Sequence, residues 1–274
     1  MDSLNNNFIE SYFSLTETSL LMKDKNPLMS HIGLSTITMI CDLSTSIDTK
    51  ALSENFQSPD YPICTLKKTK AHDEYEVSKR GKTKKSFYNQ TTINYSDHST
   101  KSIKVFSNGR LQMTGLSSVN DARKAVNVLK TVFKASRGSV NTTDINIVAS
   151  SIAMINSNFS FNVGIDIIKL KKHLEKKYDT IRIIYNPEVY PGLKIKHTTS
   201  RGISSLFVFT TGNVVITGVK SIQEIEESFL LIAQNVNANL DIFKTLLKPK
   251  ENKKSPKICI IKNGYPLYQY NIVS

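Results

Sequence analysis

The feature that most constrains the fold of this chain is a motif that occurs twice. The pattern F-x-x-G-x-x-x-x-T-G spans residues 106–115 and recurs over residues 209–218, 103 residues later. Each copy is followed by apolar residues at the three- and four-residue spacing of an amphipathic helix. An internal repeat of this length predicts two similar halves related by a pseudo-two-fold axis. The same symmetry predicts a partner that is long and itself nearly two-fold symmetric.

The residues around the second copy alternate as in β-strands, which send successive side chains to opposite faces of a sheet. The face predicted to pack on helices carries Leu206, Val208, Val214 and Ile216. The opposite face carries Ser205, Phe207, Phe209, Val215 and Thr217. A sheet face turned to water should be polar, so this apolar face needs a cover. The cover could be a bound partner or a second buried layer of the same chain.

The first copy differs on the equivalent outer face. Its predicted core face carries Ile103, Val105, Leu111 and Met113. Its other face carries Ser102, Lys104, Phe106, Gln112 and Thr114. Because this second set is polar except for one aromatic residue, we expect it to be hydrated or to contact a polar partner.

Composition and charge divide the chain into segments. Residues 1–30 are rich in Asn and Ser and are predicted to form a flexible arm. Repeat 1 occupies residues 31–136 and is interrupted by a basic insertion at 67–86, predicted as a solvated loop that could also serve nuclear import or nucleic-acid binding. Repeat 2 occupies residues 144–243, and a basic tail covers 244–274. Each repeat is predicted to contain a strand, a helix, several antiparallel strands and a long helix, which is an α+β arrangement.

Helix-start signals follow both motifs. Ser118 and Asp121 occupy positions typical of an N-cap and a first-turn acid. Ser221 and Glu224 have the spacing of a capping box, which predicts where the second long helix begins.

Charge and cysteine content narrow the class of protein. Lys and Arg outnumber Asp and Glu by 36 to 23, a net charge of +13 that is typical of proteins that bind polyanions, although an ordinary basic protein accounts for it equally well. Cys41, Cys64 and Cys259 are far apart and lack metal-ligand spacing, which predicts a reducing compartment and no metal. No stretch reaches the roughly 18 apolar residues of a membrane span, so we expect a soluble, intracellular protein.

Residues 186–193, with the sequence NPEVYPGL, and the second motif together resemble the TATA-box-binding protein (TBP) family. The resemblance covers residues 32–136 and 144–243. It implies a saddle: two pseudo-symmetric repeats forming a curved antiparallel sheet, with helices on the convex face and the concave face on the DNA minor groove. The Lys- and Asn-rich, Trp-free composition is similar to that of family members in large DNA viruses.

The resemblance also implies roles for individual residues. Two aromatic pairs, Phe87 with Phe106 and Tyr190 with Phe209, would wedge between base steps and kink the duplex, as this family is known to do. Asn146 would lie at the centre of the groove and contact A·T acceptors.

The remaining implied contacts line the groove or hold the DNA backbone. The groove floor would be formed by Leu34, Thr36, Lys104, Gln112 and Thr114 in repeat 1 and by Val148, Ser150, Ser205, Phe207, Val215 and Thr217 in repeat 2. Lys194 and Lys196 would contact phosphates. The sequence departs from the family pattern at Ile32, where the second central Asn is expected, and at Lys104 and Gln112, which replace apolar groove residues.

The functional hypothesis is a transcription initiation factor that binds A·T-rich double-stranded DNA. By resemblance, Glu188 would meet a transcription-factor-B-like partner and the convex helices would meet other parts of the RNA polymerase machinery. The expected location is the nucleus, or the cytoplasmic viral factory or virion for a viral protein. The alternative is an interaction platform that keeps the saddle and has lost sequence-specific DNA binding.

Enzymatic activity is not expected. The five histidines lack metal-ligand spacing, and no glycine-rich phosphate loop precedes a helix. The two repeats also occupy most of the chain and leave no room for a catalytic domain. We therefore expect no cofactor, no small-molecule substrate and no membrane partner.

Overall fold

The computed structural model describes residues 2–60, 63–66, 89–142, 144–246, 258–262 and 265–269. The predicted basic insertion at 67–86 and the aromatic residue Phe87 lie outside the described residues. Among the described residues, no helix combines the length and apolar character needed to cross a membrane.

The two halves share one series of elements, a strand, a helix, four strands and a long helix, to which the first half adds an N-terminal helix and the second half adds three short elements. The first half contains α1 (Asp2–Lys25), β1 (Gly33–Leu43), α2 (Thr49–Glu54), β2 (Ile63–Leu66), β3 (Gln90–Ser96), β4 (Thr100–Phe106), β5 (Arg110–Leu116) and α3 (Val119–Ala135). The second half contains β6 (Ile147–Ser160), β7 (Gly164–Ile165), α4 (Ile167–Lys177), β8 (Arg182–Asn186), β9 (Tyr190–Thr198), β10 (Ile203–Val208), β11 (Asn213–Val219), α5 (Ile222–Ala238), α6 (Leu240–Phe243) and β12 (Lys244–Thr245). Strands β13 (Ile258–Lys262) and β14 (Tyr265–Gln269) pair with each other as a hairpin.

Ten strands form one antiparallel sheet whose order is symmetric about its middle. The order is β2-β3-β4-β5-β1-β6-β11-β10-β9-β8, so the two halves meet at β1 and β6. Ile37 and Ile155 are paired across these central strands, and both are completely buried. Each is followed, at the same distance along the chain, by an aspartate that caps a short helix: Asp48 for α2 and Asp166 for α4. The pseudo-two-fold axis therefore passes through the Ile37–Ile155 pair.

The turns of the two halves also correspond. Gly109 and Gly212 have φ angles of 82° and 81°. Gly109 faces the backbone carbonyl of Thr45, and Gly212 faces that of Val163. Each approach is so close that no Cβ fits between the glycine and the carbonyl. Ser118 and Ser221 cap the long helices α3 and α5, and Glu224 completes the capping box at α5. These matching details confirm the duplicated architecture and the predicted helix starts.

One face of the sheet packs on the helices and forms the core. The residues predicted for this face are fully buried: Ile103, Val105, Leu111, Met113, Leu206, Val208, Val214 and Ile216. They belong to one cluster with the apolar faces of α3, α4 and α5. The strand alternation in both motifs is thus confirmed, and the opposite face, here called the open face, carries the other set of side chains.

The N-terminal segment differs from the prediction of a flexible arm. Residues 2–25 form α1, which packs on α5 and α3. Leu15 and Met22 are buried in the core, and the Ser19 hydroxyl accepts a hydrogen bond of 3.0 Å from the Ile32 amide. The segment lacks a regular apolar period, so the local sequence did not predict this helix. Tertiary contacts with α3 and α5 stabilise it.

A buried ion pair anchors the hairpin between β3 and β4. Lys101 is 2% exposed and donates to the Asp97 carboxylate, which also accepts a hydrogen bond from the Tyr95 hydroxyl. Burial opposes ionisation of Asp97, but the hydrogen bonds from Lys101 and from backbone amides outweigh it and hold the pKa of this carboxyl below its usual value.

Replacing Asp97 by alanine is therefore expected to lower the free energy of unfolding by about 3 kcal/mol, because the buried Lys101 loses its counter-charge. Since folding lowers the pKa of Asp97, its contribution is complete above the unfolded-state pKa of about 4 and declines as the pH falls below it. Urea titrations across pH 2–7 measure both effects. The control is Glu175→Ala, which removes the exposed pair with Lys171 and should cost about 0.5 kcal/mol or less. Equal losses in the two variants would contradict the assignment.

Candidate nucleic-acid interface

The open face presents the residues that the sequence predicted for it. They are Ser102, Lys104, Phe106, Gln112 and Thr114 in the first half and Ser205, Phe207, Phe209, Val215 and Thr217 in the second. Ser205 is buried between neighbouring strands, and the other nine are partly exposed. The described helices join the core cluster on the opposite face, so these side chains remain available to a partner.

The second half of the open face carries an aromatic cluster. Tyr190 lies at the start of β9, and its ring centroid is 5.4 Å from that of Phe207 and 5.9 Å from that of Phe209. Both contacts are edge-on, a favourable geometry for aromatic pairs. Tyr190 is 45% exposed, whereas the two phenylalanines are partly buried. Three large rings thus meet at the outer end of this half without being sealed beneath the described chain.

A glycine makes room for this cluster. A Cβ on Gly192 would lie 2.8 Å from the Tyr190 ring and 3.0 Å from the Phe209 ring. The two rings therefore rest against the backbone of β9, in the space that a side chain at position 192 would occupy. The NPEVYPGL segment thus supplies both a ring, through Tyr190, and the space for a second ring.

Basic side chains lie beside the aromatic cluster on the same face. Lys194 pairs across the strands with Phe207, and its Nζ lies 5.5 Å from the centre of that ring. Lys196 pairs with Ser205 and, on the edge strand β8, with Arg182. The arrangement places apolar rings next to three positive charges, as expected of a surface that contacts a polyanion carrying flat apolar groups.

A polar network lies beside the two-fold axis. The Asn156 side-chain amide on β6 donates to the Thr36 hydroxyl on β1 at 3.0 Å. The Thr217 hydroxyl on β11 in turn donates to the carbonyl oxygen of the Asn156 side chain. These bonds hold the amide plane fixed, while its second N–H remains a potential donor. Sequence reasoning missed Asn156. Ile155, Ser157 and Phe159 occupy every second position around it, and this period of two indicates a half-buried strand.

Asn146 does not lie at the two-fold axis of the sheet, which corrects the sequence-based placement of this residue at the centre. Its backbone exchanges hydrogen bonds with Ser44, just beyond the far end of β1 from the Ile37–Ile155 pair. Its side chain donates to Asp144. Val148 lies beside it at an irregularity opposite the Asp42–Leu43 step and is 66% exposed. Strand β6 is longer than expected, so the central position falls about ten residues later in the chain.

The prediction that Leu34 lies on the open face is also wrong. It pairs with the fully buried Ser157 and lines a cleft beneath α1 together with Phe8 and Tyr12. Thr36 is on the open face as predicted, although it is only two residues away. The register shifts between them, and an extra residue in one strand reverses which face the next side chain occupies.

The first half of the open face is polar, as the sequence predicted. Lys104 and Gln112 are paired across β4 and β5, and Thr92 pairs with Lys104 from β3. At the end of β5, Arg110 forms a two-point ion pair with Asp42, at 2.7 Å and 3.2 Å. The hydrogen bond from Arg110 lowers the pKa of the Asp42 carboxyl, so the pair stays charged at neutral pH.

The turn between β8 and β9 carries the predicted partner-binding residue. Glu188 is exposed, and its amide donates to the Asn186 side chain at 3.2 Å. The next residue, Val189, is 80% exposed. An acidic and an apolar side chain thus project from this turn into solvent.

Comparison with known proteins points to one family. Residues 151–238 match the family model described as Transcription factor TFIID (or TATA-binding protein, TBP). A TATA-box-binding protein-like protein of Acanthamoeba polyphaga mimivirus is 29% identical over 80% of this chain and 67% of its own length. The TATA-box-binding protein of Methanothrix thermoacetophila is 27% identical over 48% of this chain and 67% of its own.

A solved structure shares the fold. The Methanococcus jannaschii TBP aligns with a TM-score of 0.51 at 15% sequence identity, covering 76% of this chain and 98% of that chain. At this level of identity the likeness concerns the fold alone. The duplicated sheet with helices on one face is accordingly a saddle of the TBP type.

Proposed function

Because this chain is a divergent TATA-binding-protein-like protein, we propose that it acts in transcription initiation by binding A·T-rich double-stranded DNA across the minor groove. The open face would cover the groove floor, and Phe106, Tyr190 and Phe209 would insert at base steps and kink the duplex, with Phe87 as the fourth predicted wedge. The duplex would then present a bent platform to the polymerase machinery. The expected sites of action are the nucleus or, for a viral protein, the viral factory or virion.

The observation that carries the proposal is the partly exposed aromatic cluster of Tyr190, Phe207 and Phe209. The aromatic rings lie at the end of a two-fold symmetric sheet. They suit a ligand that is also two-fold symmetric and contains flat rings on which an aromatic side chain can stack. Double-stranded DNA has both properties. Its A·T pairs present only acceptors in the minor groove, and the second N–H of the Asn156 side chain is a donor that can face them.

The proposal is tested by bending. A short A·T-rich duplex with a fluorophore at each end should show increased energy transfer when the protein binds, because the ends approach one another. A G·C-rich duplex of equal length serves as the control and should be bound more weakly and remain straight. Binding without bending, at equal affinity for both duplexes, would contradict the proposal. It would show only nonspecific attraction between DNA and a basic surface.

Lys194 and Lys196 are proposed to contact phosphates. Each alanine substitution should reduce the slope of log affinity against log salt by about 1, with little change in sequence preference. Titrations of the same duplex at several salt concentrations give this slope. Lys50→Ala is the matched control, because the Lys50 side chain is 85% exposed on α2, which packs on the other face of the sheet. A slope unchanged by Lys194→Ala and Lys196→Ala would exclude these residues from the backbone contact.

Glu188 and the convex helices are proposed as contacts for protein partners, with a transcription-factor-B-like protein at the β8–β9 turn. The polar first half of the open face favours a second candidate function. This is a protein-interaction platform that keeps the fold and has lost sequence-specific DNA binding. Retained partner binding without any bending of A·T-rich DNA would support this second function.

A further inference from the structure

The N-terminal helix α1 covers part of the long helix of the second half. Its inner side includes Leu15, which is completely buried in the core. The Thr18 hydroxyl donates to the Glu226 carboxylate on α5. Just beyond the end of α1, the Asn26 side chain donates to that of Asn237 on α5 at 3.0 Å. A partner that approaches this part of α5 therefore meets α1 instead.

The outer side of α1 is apolar as well. Ile9, Phe13 and Leu20 are all exposed, and Phe13 is 67% exposed. At 3.6 residues per turn, these three residues lie about 120–160° around the helix from Leu15. The helix thus has two apolar sides, and the fold buries only one of them. An exposed apolar row on a soluble protein is typical of a surface that binds another molecule.

The spacing on the outer side is that of a coiled-coil seam. Ile9, Phe13, Thr16 and Leu20 are separated by four, three and four residues. This alternation is that of the d and a positions of a heptad. All four residues are exposed, so a helix that lies along this side can bury them between its own side chains.

An acidic row runs beside this seam. Glu10, Glu17 and Asp24 are seven residues apart and occupy the e position of each heptad. All three are exposed, and within the described residues none of them forms an ion pair. The row is negative although the chain as a whole carries a net charge of +13. Because charges at the e and g positions select the partner of a coiled coil, this seam selects a helix with Lys or Arg opposite the acids.

A second copy of α1 does not meet this requirement. In an antiparallel pair the e positions of the two helices would face each other, and their carboxylates would repel. In a parallel pair they would face the g positions, which are Asn5, Tyr12 and Ser19 and carry no charge. Ser19 is also buried against the rest of its own chain. The seam therefore fits a helix of a different protein.

We propose that the outer side of α1 binds a basic amphipathic helix of a protein partner in coiled-coil register. The apolar row of α1 packs on the apolar row of that helix, and the acidic row pairs with its Lys and Arg side chains. The site lies with α3 and α5 on the side of the sheet away from the open face. It does not depend on DNA binding, so its test and the bending test succeed or fail separately.

The test uses two synthetic helical peptides of three heptads, with leucine at the a and d positions. One peptide carries lysine at the e and g positions, and the other carries glutamine there. Fluorescence anisotropy is measured with trace labelled peptide, which keeps the peptide monomeric, and without DNA, which binds basic peptides itself. The lysine peptide should bind about tenfold more tightly, since three exposed ion pairs add to the apolar contact. This preference should decline as the salt concentration rises.

Paired substitutions locate the binding site on α1. Glu10→Gln combined with Glu17→Gln should reduce the preference for the lysine peptide from about tenfold to about twofold. Phe13→Ala combined with Leu20→Ala should weaken the binding of both peptides by at least about tenfold. Glu175→Gln changes an exposed carboxylate on α4 and is the matched control, with wild-type binding of both peptides expected.

The substituted side chains are all exposed, so urea denaturation should give a stability close to that of the wild type. If the double alanine variant is less stable, the double glutamine variant decides alone. Equal binding of the two peptides by the wild-type protein, or binding of neither, would overturn the proposal. So would a preference for the lysine peptide that persists in the double glutamine variant. A wild-type dimer in sedimentation that dissociates in the double alanine variant would make a second copy the occupant and also overturn it.

Discussion

Replacing Gly212 by alanine is expected to lower the free energy of unfolding by about 3 kcal/mol or more. Gly212 has φ = 81°, and a Cβ there would lie 2.0 Å from the carbonyl oxygen of Val163. The left-handed conformation alone costs an L-residue about 1–2 kcal/mol. The overlap with a backbone oxygen cannot be relieved by rotating a side chain, so the turn between β10 and β11 must move away from residue 163.

Gly218→Ala is the matched control for this effect. Gly218 also has φ = 81°, but its nearest neighbour would be 3.8 Å from the added Cβ. This variant therefore carries only the conformational cost, about 1–2 kcal/mol. Urea denaturation of both variants gives the difference, which measures the overlap. Equal destabilisation of the two variants would show that the close approach to Val163 is absent in solution.

Replacing Phe209 by alanine is expected to abolish DNA bending and to weaken binding about a hundredfold, the scale of losing roughly 2–3 kcal/mol of contact with a base plane. The ring lies beside Tyr190 on the open face, and it is the proposed wedge that corresponds to Phe106 in the first repeat. Because Phe209 is only partly buried, the free energy of unfolding should fall by no more than about 1 kcal/mol. End-to-end energy transfer in an A·T-rich duplex measures the bend, and urea denaturation measures the stability.

Phe13→Ala separates this effect from a general loss of aromatic surface. Phe13 is 67% exposed on α1, which packs with α3 and α5 on the other face of the sheet. Its substitution should change neither affinity nor bending. If Phe209→Ala still bends the duplex fully, or if Phe13→Ala reduces bending equally, the wedge role of Phe209 is wrong.

Local patterns in the sequence were sufficient to predict the strands of the two motifs and the helices that follow them. The alternation around Phe209 assigned the core face correctly because neighbouring side chains on a regular strand must point to opposite faces. The helix caps at Ser118 and Ser221 were predictable because capping uses hydrogen bonds between residues three positions apart. The repeated motif likewise predicted the two halves.

The centre of the site could not be predicted in the same way. Leu34 and Thr36 lie on opposite faces because an irregularity separates them, and nothing in the local pattern marks it. Asn156, rather than Asn146, reaches the two-fold axis because the register of β6 against β1 decides which residue lies there. Register depends on strands that are more than one hundred residues apart in the chain.

The sequence by itself therefore determined the duplication, the core faces and the contrast between Lys104 with Gln112 and Phe207 with Val215. These follow from residue identity and from periods of two and about 3.6 residues. Only the tertiary structure decided that α1 is ordered, which residues flank the axis, and that Tyr190 and Phe209 share the space above Gly192. The reason is physical: long-range pairing and packing fix these positions, and no local propensity encodes them.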